Sequence, residues 1–524
     1  MSEIAASLNG GAHRSGVIER LQSLNSRTLF VLTVVTALAA FLQYKFWKQP
    51  SIVDRANWDY FAQVISRGGV PYRDVVNIKS PLSAYIGAAA ILAGEPLHVR
   101  DVLAIRVVCL LLAALAVGFT FLVATSCFNS RRVGLLAAAI MMAFNLFGDA
   151  NSGGVQPKTP MILFGLVALF AILRDWPFVA GLAGMLAALS WQPGLLFVGV
   201  AVLALSRYLT SWRDLKAAKV MAGALLPFGI FIAYFWWERS LMALYWWNID
   251  YNLTVDAPRG IRTVSGIVDR LYRLLKGPFR RERLYFALAA AGFAGASFRE
   301  VRNAVRRKDR QFFQSAPRHA VAIAALVYFV FCMINIQGGA DFIPLLPFVA
   351  IFAAAAIVPG LFLLSDFLSR KRSVKHSTIY DRGYAVVLGL VLLVGVGGNF
   401  PVKVDFPTLQ DQETEVAEIT SHLGPGDEMY VHGVAEILVL SRLTDADKHY
   451  FLDRGKDTYL DRVEPGGFAG WFERLKSRRP KIVALERTKY LEHTQDFLDW
   501  LHADYEERKG RIFTYYLRKS EVDG

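Results

Sequence analysis

Between positions 57 and 82 the chain gathers carboxylates, cations and aromatic rings in short order. It reads Asn57-Trp58-Asp59-Tyr60-Phe61, then Pro71-Tyr72-Arg73-Asp74, then Lys79-Ser80-Pro81-Leu82. A carboxylate can take the proton from an attacking hydroxyl. A fixed cation can hold an oxygen on which negative charge grows. Set where water meets lipid, such a pair suits transfer of a group from a lipid phosphate. Asp59 is the candidate catalytic base and Lys79 the candidate phosphate holder, with Arg73 assisting and Asp74 as a second carboxylate. Trp58 and Tyr72 are candidate substrate contacts. Plainer uses stay open: Asp59 as a helix start, Asp74 in the turn after Pro71, Lys79 as an anchor and the rings as an interfacial belt.

The elements that must position these residues are apolar helices. The 524 residues are 54% hydrophobic, 13% aromatic and 19% charged, short of the roughly quarter charged content of a soluble domain. A helix needs about 20 apolar residues to cross the hydrocarbon layer. Stretches without Asp, Glu, Lys or Arg run over 28–44, 107–130, 133–148, 159–173, 176–206, 220–237, 284–298, 320–340, 342–365 and 383–402. The run 176–206 holds Trp191-Gln192-Pro193-Gly194 at its middle, a turn signal that splits it into a hairpin. Eleven spans are expected.

Net charge is +14, which in a soluble chain points toward nucleic acid. Here the cations sit in short loops between apolar runs, the pattern of topology and anionic lipid. With the N-terminus inside, Arg131, Arg132, Arg174, Arg207, Arg213, Lys216, Lys219, the cluster from Arg299 to Arg318 and that from Arg370 to Arg382 all fall on one side. The C-terminus is then outside. Two outer loops, 48–106 and 238–283, are also basic, against that rule, so their charge is available for another use. The apolar run after the polar segment 1–27, with Arg14 and Arg20, is too long for a signal-peptide core and reads as an uncleaved first span. Cys109, Cys127 and Cys332 are odd in number and sit in apolar runs, so no disulfide framework is expected.

Residues 82–93 form an apolar helix too short to cross, and 264–276 an amphipathic interfacial one. After 400 the chain turns polar. Strands are expected at 428–432, 481–485 and 511–517, and helices at 411–422 and 488–502. Asp445-Ala446-Asp447 reads as a surface turn, Asp250 and Asp256 as solvated, and His432 and His449 as structural. Gly153-Gly154-Val155-Gln156-Pro157-Lys158 lacks the Gly-Lys-Ser/Thr of a phosphate loop.

Residues 57–94 resemble the first outer loop of GT-C glycosyltransferases, in the branch of protein O-mannosyltransferases and the lipid A aminoarabinose transferase. Asp59 matches the family's carboxylate after the first span, with Tyr60 where Glu is usual. Lys79-Ser80-Pro81-Leu82 matches a Lys-Pro-Pro-Leu-like donor-phosphate motif. Ser190 to Gly194, with Gln192, is similar to a Lys-Gln-rich turn between middle spans. Gly338 to Pro347 resembles a late Gly-x-His-Tyr segment, with Asp341-Phe342 replacing His-Tyr. The resemblance implies a polytopic α-helical membrane protein of about eleven transmembrane helices. Residues 1–27 would be a cytoplasmic segment, 28–400 a transmembrane GT-C-like catalytic domain and 401–524 a small periplasmic α/β domain. It implies an inverting sugar transfer in a bacterial inner membrane, from a polyprenyl-phosphate sugar to an envelope glycan, lipid or protein. Asp341 and Gln192 become further candidate substrate contacts, and some relatives hold a divalent metal at the carboxylates. The competing reading is a transporter or flippase, which ordinarily keeps ionisable groups or broken helices at mid-membrane depth.

Overall fold

The computed structural model describes residues 25–44, 47, 49–205, 215–256, 263–307, 316–334, 339–372, 375–395, 397 and 406–519. The expectations on Arg14, Arg20, Arg207, Arg213, Gly338 and the rest of 1–24, and on the middle of the 299–318 cluster, lie outside the described residues.

Each of the eleven expected spans forms helix among the described residues. In chain order, the helices to Leu205 are α1 (Ser26–Gln43), α2 (Val53–Ser66), α3 (Leu82–Gly94), α4 (Asp101–Phe128), α5 (Arg131–Ala143), α6 (Asn145–Ser152), α7 (Lys158–Leu173), α8 (Pro177–Ser190) and α9 (Leu195–Leu205). Then come α10 (Lys216–Trp237), α11 (Val264–Lys276), α12 (Arg283–Arg307), α13 (Ala316–Ile334), α14 (Leu346–Arg372) and α15 (His376–Gly395). Among the described residues, five helices are long and apolar enough to cross a membrane, or six if the pair α5–α6, bent by 68°, is one broken span. The remaining expected spans have shorter apolar stretches, of 10–17 residues. At 16 residues, α7 reaches about 24 Å against roughly 30 Å of hydrocarbon. The hairpin turn forms where expected: a 3-10 turn, Gln192–Gly194, separates α8 from α9. Gly194 is required there, since a Cβ would lie 2.3 Å from the Ala187 carbonyl carbon.

The C-terminal part holds α16 (Leu409–Thr420), β1 (Met429–His432), α17 (Glu436–Ser441), α18 (Lys456–Val463), α19 (Gly467–Ser477), β2 (Ile482–Leu485), α20 (Thr494–Asp504), β3 (Tyr505–Lys509) and β4 (Thr514–Arg518). Strand order is β1-β2-β4-β3, with β1 and β2 parallel and the other pairs antiparallel. The expected helix over 488–502 starts late, because Asp457 accepts the backbone N–H groups of Glu492 and His493 and holds that stretch as a loop. The strand β3 and the helices α17 to α19 were not expected.

Period-2 alternation gives the sheet two buried faces. Met429, Val431, Ile482 and Ala484 join a core with α16 and α17, and Tyr430, Val483 and Leu485 join another with Trp471, Phe472 and Phe497. The first core is completed by α2, through Ala56, Trp58, Tyr60 and Phe61. Polar bonds fix the seam. The Tyr450 hydroxyl donates to the Asn57 carbonyl (2.8 Å), the Asp445 N–H donates to the Tyr60 hydroxyl (2.8 Å), and Gln412 exchanges two bonds with Ser51 (2.9 and 2.8 Å). The C-terminal sheet and the first loop therefore share one apolar interior.

Candidate functional site

A cavity of about 260 Å³ opens where the first loop, the start of α7, the approach to α14 and the C-terminal part converge. Its lining includes Lys79, Lys158 and Asp341, then Arg454, Lys456, Arg487 and Asp453 of the C-terminal part, and Asp54, Asn57 and Trp58 of α2. Lys79 and Lys158 both sit over the Trp191 ring, 5.3 and 5.1 Å from its centroid. An indole ring attracts cations, and this one draws on both lysines. Lys158 also pairs with Asp341 at 3.4 Å. Burial brings the Lys79 ammonium down to about 8; Lys158 adds to that fall, and Asp341 and Asp54 oppose it.

The segment carrying Lys79 is pinned by its backbone. The Tyr72 hydroxyl donates to the Lys79 carbonyl (2.7 Å) and accepts from Asn248 (2.8 Å). Gln192 and Asn252 both donate to the Ile78 carbonyl (3.1 and 2.6 Å), and Asn77 accepts from the Ile78 N–H (2.8 Å). Lys79 thus enters the cavity from a backbone with little freedom, the preorganisation a charge-holding group needs.

Asp59 stands on the helix that gives the cavity Asp54, Asn57 and Trp58 but does not itself line it. It is 1% exposed, and its carboxylate accepts the Val155 N–H at 2.8 Å. Burial raises its carboxyl to about 7, against the Val155 bond and the charges of Arg106 and Arg55. The chain comes this close because residue 154 has no side chain: a Cβ there would stand 2.9 Å from an Asp59 carboxylate oxygen and 3.2 Å from Arg55 Cβ. Gly154→Ala is therefore expected to lower stability by about 1–3 kcal/mol through overpacking, read as a lower unfolding temperature in detergent.

The candidate residues thus part into groups. Trp58, Lys79 and Asp341 line the cavity. Asp59 does not. Tyr72 (φ 67°, 1% exposed) and Gln192 brace the Lys79 segment from behind. Arg73 and Asp74 pair with each other at 2.9 Å on the surface, and Arg73 reaches Glu238 at 3.3 Å, so neither lines the cavity.

Several residues escaped the sequence reading. Lys158 ends the segment set aside as a failed phosphate loop. That segment is instead tied at Val155 to Asp59 and delivers a lysine to the cavity. Lys456 pairs with Asp453 at 3.1 Å, and Arg487 lies 3.9 Å from Asp54 and 4.0 Å from Asp453; no motif marked either. Two other expectations are corrected. Asp445 is no surface turn: it is buried against α2 and accepts the Val431 N–H at 3.0 Å. Asp250 is not solvated: it is buried with the Tyr459 hydroxyl at 2.6 Å and Arg462 at 3.1 Å. Both were misjudged because their partners lie far away in sequence. Among the described residues no three His, Cys, Asp or Glu side chains group as a metal site. The cavity carboxylates face cations instead, so a donor set for a divalent ion is not assembled.

No family model matches the chain, and no curated protein matches it. Solved structures do. ArnT from Cupriavidus metallidurans, bound to undecaprenyl phosphate, superposes with a TM-score of 0.60 at 15% identity, over 95% of this chain and 99% of that one. Its apo state gives the same score and identity, over 95% and 100%. The apo oligosaccharyltransferase of Archaeoglobus fulgidus gives 0.53 at 11% identity, over 94% and 75%. Both proteins are GT-C glycosyltransferases. The chain has the fold of that superfamily and is a multi-pass membrane protein by its helices and neighbours.

Proposed function

We propose that the protein is an inverting glycosyltransferase that moves a sugar from a polyprenyl-phosphate donor to an envelope acceptor on the periplasmic face of the inner membrane. The observation that carries this is the pair of lysines over the Trp191 ring in a cavity lined by the helix that bears a carboxyl with raised proton affinity. In this reading Lys79 and Lys158 grip the donor phosphate. The acceptor oxygen attacks the anomeric carbon, and the bond from that carbon to the phosphate oxygen breaks. The freed charge stays on the phosphate between the two ammonium groups. Asp59 takes the acceptor's proton, for which a carboxyl near neutrality is well matched. The ArnT structure holding undecaprenyl phosphate supports the choice of donor.

The topology supports one side of the membrane. Every wall of the cavity comes from a segment that the Lys/Arg bias assigns outside: 54–58, 76–79, 156–158, 340–341, 451–456 and 487. The mixed-charge wall of Lys456, Arg487 and Asp453 belongs to the C-terminal part, which we assign to the periplasm with it.

The test is mass spectrometry of envelope glycolipids, glycans and glycoproteins from cells with and without the gene. One sugar unit is expected to disappear from an envelope product while its lipid-linked form accumulates. An unchanged envelope, with a solute or lipid stranded on one side of the membrane, would replace the transferase with a transporter.

A further inference from the structure

Asn57 is 5% exposed, lines the cavity, and its side-chain oxygen meets no hydrogen-bond partner among the described residues. A buried amide oxygen without a partner bears the whole cost of its desolvation, and such groups call for an explanation. Relaxation of the backbone is not open to it. The Asn57 carbonyl is held by the Tyr450 hydroxyl, and α2 is fixed one turn on by the bond between Asp445 N–H and Tyr60. The amide oxygen is thus kept unsatisfied on a residue that lines the cavity.

We infer that the Asn57 carboxamide is a specificity-determining group that bonds a hydroxyl of the donor's sugar. The inference rests on reading this cavity as the donor site. The glycosyl unit must lie between the lysines that hold its phosphate and the carboxyl that serves its acceptor. Asn57 lines the same cavity as Lys79 and Lys158; Asp59, two residues on along the helix, lies on a different face. The lining neighbours of Asn57 on the same helix are the uncharged Trp58 and the carboxylate of Asp54. A neutral amide matches a hydroxyl, which can donate to its oxygen and accept from its nitrogen. A phosphate is better served by the cations already in place. Sites that hydrogen-bond a substrate hydroxyl discriminate strongly against analogues lacking it, because their buried polar groups are then stranded.

The experiment measures lipid binding to the full-length protein in detergent by native mass spectrometry. The probes are undecaprenyl phosphate and its synthetic esters with a hexose, a pentose, an amino sugar and an N-acetylhexosamine. Wild type is expected to hold at least one ester about tenfold more tightly than the bare phosphate. Asn57→Ala and the apolar, similarly sized Asn57→Leu are both expected to shrink that preference below about twofold, with bare-phosphate affinity unchanged. Preference retained in both variants overturns the inference. So does a parallel fall in affinity for bare and glycosylated lipid, which would make Asn57 merely structural. A wild-type protein that prefers no ester sinks the donor-site reading itself, and the inference with it.

Discussion

Asp59→Asn is expected to lower the rate of sugar transfer by about 10²–10⁴-fold, the usual contribution of a general base, while undecaprenyl phosphate still binds. The substitution is mild for the fold. An Asn side-chain oxygen can still accept the Val155 N–H, and the volume hardly changes. What disappears is a site for a proton. In the wild type, burial lifts that site to about 7, so kcat/KM should rise with pH through roughly 7, as the carboxylate forms. It should fall again above about 8, where Lys79 loses the charge that holds phosphate. In the pH profile of kcat the alkaline limb should move higher, because bound phosphate favours the ammonium form. Stability carries the same signature with a definite sign. A carboxyl whose folded value lies above its unfolded value binds more protons when folded, so the native state loses stability as pH rises from about 4 to about 7. Melting curves of the wild type should show that slope, and those of Asp59→Asn a shallower one, since burial also raises the Glu436 carboxyl, to about 8. A fully active Asp59→Asn protein, with Asp341→Asn or Asp54→Asn inactive, would move the base to a carboxylate that faces the cavity directly.

How much of this was legible in advance follows from the range of each interaction. The helices were, because each is written in a continuous run of side chains, and so was the break at Gln192–Gly194, where Pro193 and Gly194 announce it. The link between Lys79 and the first loop was legible too, since it lies within one segment. The cavity as a whole was not. Lys158 approaches Lys79 only because α7 begins beside Trp191, at a distance no spacing rule encodes, and Gly153-Gly154 was tested for the wrong geometry. There the glycines make room for Asp59 and Arg55, with no part in cradling a phosphate through backbone N–H groups. Arg487 and Lys456 come from a unit more than 370 residues after Lys79. Their neighbours Asp453 and Asp54 belong to opposite ends of the chain. Asp59 shows the opposite failing: its type and position were readable, but its enclosure behind Val155 was not, and that enclosure is what raises its proton affinity.

The largest effect on binding is expected at the two lysines that share an indole. Removing one charged hydrogen-bonding partner of a phosphate costs about 1.5–3 kcal/mol, so Lys79→Ala and Lys158→Ala should each weaken undecaprenyl phosphate about 10–100-fold. The two losses should not add. In the free protein Lys158 pushes the Lys79 proton off, so Lys158→Ala leaves Lys79 more fully charged and partly offsets its own effect. Lys158 also occupies Asp341 at 3.4 Å. Without it, that carboxylate faces the phosphate uncompensated, which works the other way. The double variant separates these influences. A double loss larger than the product of the singles means each ammonium weakens the other, so that removing one strengthens the one left. A double loss equal to the product means each acts alone. Trp191→Leu provides the internal check: with both lysines kept but their shared ring removed, affinity should fall about three- to tenfold, the share of a partly desolvated cation–π contact. If all three variants bind the bare lipid as the wild type does, the phosphate is held elsewhere, and the chemistry assigned to this cavity has no substrate.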